Sequence, residues 1–136
     1  MSPYDIDAAE DWLDGWTATV SAQAERAALL SRRVAALTGS AQSSDGSIKV
    51  TVGSSGQVEK LELDDRVHQV RGPELAERIV SVMRQAQARL ARQVSVEVEQ
   101  TVGSDTETGR AVIHSFETRF PEVERGDGQE RDDAGR

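Results

Sequence analysis

Cysteine is absent from this sequence of 136 residues, which removes disulfides, thiolate metal sites and cysteine nucleophiles together. Aromatic residues make up 4% and hydrophobic residues 37%, so the core must be modest and built of Val, Leu, Ala and Ile. No apolar run approaches the roughly 20 residues that a membrane-spanning helix needs. The acidic N-terminus shows no basic segment ahead of an apolar stretch, so a secretory signal is not expected. The expectation is a cytoplasmic protein with no membrane partner. Histidine occurs twice, as His68 and His114, neither in a metal-ligand spacing, and both read as incidental. Lysine is scarce too: 14 of the 16 basic residues are arginine.

Charge of one sign gathers at the ends. The net charge is −8, and residues 1–15 carry Asp5, Asp7, Glu10, Asp11 and Asp14 with no base. Residues 121–136 hold six acids against three arginines, while the 105 residues between are neutral. Binding to a polyanion therefore gains little from net charge.

The pattern that is present centres on residues 43–67. Ile48, Val50 and Val52 alternate with Lys49 and Thr51, the period-2 signature of a half-buried strand. Leu61 and Leu63 repeat it beyond Gly53-Ser54-Ser55-Gly56, and Asp45-Gly46 marks a turn upstream. Strands are predicted over 38–42, 47–53 and 57–64. So small a sheet is not stable alone in water and needs helices or a second copy over it.

Long helices flank it. Ile6, Ala9, Leu13, Trp16, Val20, Gln23, Ala27, Leu30, Val34 and Leu37 step by threes and fours, predicting a helix over 5–37 with one apolar seam. Such a helix is about 48 Å long, against about 23 Å for a seven-residue strand, so half of it overhangs the hairpin and wants a partner helix. Gly72-Pro73-Glu74 opens a second helix over 73–101, with Leu75, Ile79, Val82, Ala86 and Leu90 on one face, and it is expected to supply that partner. Val94, Val96 and Val98 fit strand as well as helix; helix is preferred because a late strand has no evident pairing partner. Ser104-Asp105-Thr106-Glu107 has the form of a capping box and opens a short helix over 105–119. One domain over 1–121 and a disordered acidic tail over 122–136 are expected.

Few residues offer chemistry. Asp64 and Asp65 could pose as a carboxylate pair, but neighbours on a strand face opposite ways, and turn chemistry explains them better. Gly53-Ser54-Ser55-Gly56 lacks the lysine and helix context of a phosphate loop. No catalytic residue, metal ligand or cofactor site is predicted, and the protein is read as not an enzyme. Trp12 and Trp16, one helical turn apart, read as anchors of a helix–helix contact. The one functional constellation is arginine: Arg78, Arg89 and Arg92 on one flank of the second helix, Arg71 before it, and Arg32 and Arg33 ending the first. A guanidinium fork donates two hydrogen bonds to a phosphate at once.

The order of a long helix, the stretch from Leu37 to Asp64 (above all Gly46-Ser47-Ile48-Lys49-Val50-Thr51-Val52 and Gly56-Gln57-Val58-Glu59-Lys60-Leu61) and the Pro73-Glu74-Leu75-Ala76-Glu77-Arg78-Ile79 helix resembles the YbaB/EbfC family of small nucleoid-associated proteins. The likeness runs from about Leu13 to Val102, and the arginine-rich composition resembles an actinobacterial branch. It implies an α+β protomer of order α-β-β-β-α, a tweezer-like homodimer, and DNA binding with limited sequence preference. In that reading Arg32, Arg33, Arg71, Arg78, Arg89 and Arg92 contact DNA phosphates, weakly and in a salt-sensitive way. Trp16, Val20, Leu30, Ile48, Val50, Val52, Leu61, Leu63, Ile79 and Val82 form the core and dimer contacts, and the protein lies in the cytoplasmic nucleoid. Some relatives lie beside specialised secretion systems, so the alternative is a dimeric, chaperone-like module for a protein partner, with Trp12, Trp16 and residues 94–102 facing it.

Overall fold

The fold follows from a computed structural model that describes residues 3–122, with side chains from Ile6 onward. Helix α1 (Pro3–Ala35) leads into strands β1 (Gly39–Gln42), β2 (Ile48–Val52) and β3 (Val58–Leu63). A 3-10 turn (Asp65–Gln69), absent from the sequence reading, precedes helix α2 (Gly72–Thr101), and helix α3 (Glu107–Arg119) follows. The class is α+β, as expected. Helix α2 runs unbroken through residues 94–101, so the valines there are helical. The acidic tail lies outside the described residues except for Glu122.

The three strands form one antiparallel sheet in the order β1-β2-β3. The Asp45 carboxylate fixes the first turn, accepting from the Ser43 hydroxyl (2.9 Å), the Ser47 amide (3.0 Å) and the Ser47 hydroxyl (2.7 Å). Gly46 takes a φ of 78° there, which its missing Cβ permits. Across β2 and β3, Ile48 pairs with Leu63 and Val50 with Leu61, and an irregularity at Thr51/Val52 sets Val52 opposite Val58.

One face of the sheet makes the core. Ala41, Ile48, Val50 and Val52 are buried against Val82, Ala86, Leu90 and Val94 of α2, with Leu30 of α1 beside them. Gly39 lets β1 approach closely, since a Cβ there would collide with the Ala86 carbonyl oxygen. The cover is lopsided, because α2 lies over β1 and β2 and stops short of β3. All six β3 positions are exposed, with Leu61 at 45% and Leu63 at 44%, although their cross-strand neighbours Val50 and Ile48 are at 1%.

The long helix departs further from expectation. Leu30 is buried, and Ala27, Val34 and Leu37 are half-buried, but Ile6, Leu13, Trp16 and Val20 are exposed. Helix α2 therefore partners only the C-terminal third of the seam, because it meets α1 where Arg33 faces Glu97 and ends at Thr101, after which the chain turns back into α3. The cap of α3 also differs. The Thr106 hydroxyl accepts from the Gly109 amide (3.0 Å), whereas the Ser104 hydroxyl donates to Glu99 (2.7 Å), so Thr106 is the N-cap and the Ser104 capping box does not form. Gly103, with φ 88°, turns the chain back so that Phe116 is buried and Val112, Ile113 and Phe120 pack on the core.

Candidate nucleic-acid interface

Each candidate arginine is exposed, and the elements that carry it decide what it meets. Arg32 and Arg33 fall in the last turn of α1, where cations suit the negative end of a helix. Arg33 Nη1 lies 3.6 Å from Glu97 Oε1, a buried oxygen with no hydrogen bond of its own. Arg71 immediately precedes α2 and makes no side-chain capping bond. One turn into the helix, Arg78 pairs with Glu74 at 2.6 Å. Arg89 Nη1 donates to the Ser40 carbonyl at 3.0 Å, and Arg92 Nη1 stands 3.3 Å from Glu122 Oε2. Among the described residues, Arg32 and Arg71 make no ion pair.

From Arg78 to Arg92 the α2 flank covers about 21 Å at 1.5 Å per residue, a length over which duplex DNA carries on the order of a dozen phosphates. The ion pairs along it are solvent-facing and weak, each about 0–1 kcal/mol, so competing phosphates can displace them. The pair of Arg33 with Glu97 differs, since the carboxylate would be left without its cation. A further basic residue that sequence reasoning passed over, Arg66, is committed elsewhere. Its guanidinium grips the Asp64 carboxylate and donates to the Asp45 carbonyl, tying the first hairpin turn to the 3-10 turn.

This clamp holds the perturbed titrations. The Ser47 amide and hydroxyl, with the Ser43 hydroxyl, hold the Asp45 carboxyl far below the usual carboxylate range. Hydrogen bonds from the Arg66 side chain and amide lower the Asp64 pKa, and Asp64 in turn raises that of Arg66. Asp64 and Asp65 are thus turn residues, the first capping the 3-10 turn and the second 3.9 Å from the exposed His68. His114 is exposed beside the Thr118 hydroxyl. Among the described residues no group of three or more His, Asp or Glu side chains is placed to hold a metal, and no helix is long and apolar enough to cross a membrane.

The remaining candidates divide by burial. Leu30, Ile48, Val50, Val52 and Val82 are buried and Ile79 is half-buried, whereas Trp16, Val20, Leu61 and Leu63 face solvent in the single chain. An open groove of about 260 Å³ runs between α2 and α3 past Ala88, Ala91, Ser95 and Phe120, with Arg92 and Glu122 at its edge.

Compared with known families, residues 12–105 match the model of the YbaB/EbfC DNA-binding family. That span takes in α1 from Trp12, the whole sheet and all of α2, and it ends before α3 begins. No curated protein matches the chain.

Proposed function

The chain belongs to the YbaB/EbfC DNA-binding family, and from that premise we propose that it is a homodimeric nucleoid-associated protein that holds double-stranded DNA in the cytoplasm without catalysis. The observation that carries this reading is the flank of α2, where Arg78, Arg89 and Arg92 are all exposed within the matched region. Arg71 and Arg32 extend the basic surface at the helix ends. Such contacts go to backbone phosphates, which position a protein but do not read bases. Binding is accordingly weak, tolerant of sequence and steeply reduced by salt.

The uncovered β3 supports the dimer. Leu61 and Leu63 continue the buried rows of Val50 and Ile48 into solvent, and covering the exposed part of each is worth about 1 kcal/mol. A second copy laid against β3 completes the core that α2 leaves open. The dimer also doubles the arginine flanks on one particle.

Fluorescence anisotropy of labelled duplexes of unrelated sequence, at low and near-physiological salt, tests the reading. Changing Arg78, Arg89 and Arg92 together to Ala weakens binding to every duplex alike and lowers the salt slope by about 0.9 per lost phosphate contact. Unaltered affinity and slope would remove these arginines from the interface.

A further inference from the structure

We infer that the N-terminal half of α1 is a docking arm for a basic, amphipathic helical segment of another protein. The arm is bare. Every residue from Ile6 to Arg26 is exposed except Ala22, which is half-buried, so these residues draw almost no support from the rest of the chain. It is nonetheless strongly patterned. Ile6, Leu13, Trp16 and Val20 recur at helical spacing along one stripe, with Trp12 at its border. Trp12 and Trp16 stack with ring centroids 6.5 Å apart and planes within 12°, while remaining 66% and 57% exposed. Paired aromatics in water are a contact surface lacking its other half.

Charge identifies that other half. Asp7, Glu10 and Asp14 line one flank of the stripe, Asp11 lies behind them, and no base occurs before Arg26. Asp7 with Asp11 and Glu10 with Asp14 are like-charged pairs four residues apart, which destabilise a helix. This surface repels phosphate, so the arm is not where DNA sits, and it repels an anionic lipid surface equally. A second copy does not resolve the repulsion. Two arms side by side in parallel set the same acids against each other. Overlapped antiparallel from Ile6 to Gln23, they set Asp7, Glu10, Asp11 and Asp14 against Ala22, Thr19, Ala18 and Gly15, which offer no cation. A helix with an apolar stripe bordered by Lys or Arg matches both features at once, giving the stripe its cover and the acids their counter-charge. From Ile6 to Val20 the stripe is about 21 Å long, or four turns, which sets the length of segment required.

The two tryptophans are the only ones in the chain, so their emission reports on the arm alone. In the full-length protein they are expected to emit as solvent-exposed indoles, open to acrylamide quenching at every protein concentration. Titration with a synthetic amphipathic Leu/Lys peptide of 18 residues is expected to shift the emission to the blue and shield it, saturating at one peptide per protomer. A Leu/Glu peptide of the same pattern should have no effect. Two variants divide the contributions: D7N/E10Q/D11N/D14N removes the charge, and L13S/V20S removes the stripe but keeps the acids. Each should weaken binding by about tenfold or more. Because both lie on the bare arm, the melting transition of the body provides the folding control. Blue-shifted, quencher-shielded emission in the protein alone would show that a second copy covers the arm and would overturn the inference. So would exposed emission that the Leu/Lys peptide leaves unchanged, or peptide binding that survives L13S/V20S undiminished.

Discussion

Glu122 meets Arg92 across the groove between α3 and α2, Oε2 to Nη1 at 3.3 Å, so the first residue of the acidic C-terminal segment occupies an arginine proposed to hold DNA. Both side chains face water, and an exposed pair of this kind is worth about 0–1 kcal/mol. Glu122→Gln should therefore tighten duplex binding about twofold to fivefold at low salt, the range that such an energy allows. Removing residues 122–136, which carry six acids against three arginines, should tighten it further and steepen its salt dependence. Anisotropy titrations check both, and in an Arg92→Ala background the effect of Glu122→Gln should vanish.

The β2–β3 turn makes a second prediction. Gly56 has a φ of 84°, and a Cβ there would run into the ring of Phe120, at the end of α3. Gln87 of α2 also donates to the Gly56 carbonyl at 2.9 Å. Gly56→Ala forces a left-handed alanine, about 1–2 kcal/mol, and displaces the ring as well. The urea midpoint should fall by the equivalent of about 2 kcal/mol or more. Gly15→Ala is the control: nothing lies within 4 Å of its Cβ position, and helicity by circular dichroism should rise with no loss of midpoint.

Acid should undo the first hairpin turn. The Asp45 pKa in the folded chain lies below its unfolded value because the Ser47 and Ser43 donors favour the carboxylate. Its contribution is complete above the unfolded pKa of about 3.9 and is lost as pH falls below that toward the folded value. Thermal melts should show wild type above Asp45→Ala by a constant margin from pH 7 to about pH 5, narrowing below about pH 4. A margin that persists at low pH would mean that the charge of Asp45 contributes nothing to the turn.

Self-association should depend on β3. Leu61→Asp with Leu63→Asp places charge where a second copy is proposed to lie, at positions that the single chain already exposes. Light scattering should report a mass falling from about twice 14.8 kDa to 14.8 kDa, with the far-ultraviolet spectrum retained. A doubled mass in this variant would move the interface away from β3.

What the sequence reveals, and what it hides, follows from the kind of signal involved. Period-2 alternation in Ile48–Val52 and the glycine turns expose the sheet directly, because side-chain direction in a strand is fixed by local geometry. The seam from Ile6 to Val34 marks a helix with an apolar face, while Leu37, expected to close it, lies past its end at Ala35. A period says that a face is apolar but not that the same chain covers it, so the pattern predicts α2 along a stripe that it covers only toward the C-terminal end. The same limit applies to Leu61 and Leu63, whose exposure depends on where α2 stops. Ser104 fits the cap motif as well as Thr106 does, and only the reversal at Gly103, which sends the Ser104 hydroxyl to Glu99, distinguishes them. The candidate arginines are legible as residue types. Their partners Glu97, Ser40 and Glu122 are not, since each lies far along the chain and is brought close by packing.

The bareness of α1 from Ile6 to Arg26 has a consequence for how this protein can change over time. Substitution in a packed core is constrained by every neighbour it disturbs, whereas the arm has almost no neighbours to satisfy. Selection on its acids and tryptophans is thereby released from selection on the melting temperature. A lineage can rewrite what the arm recognises, residue by residue, while the sheet and the α2 arginines stay as they are.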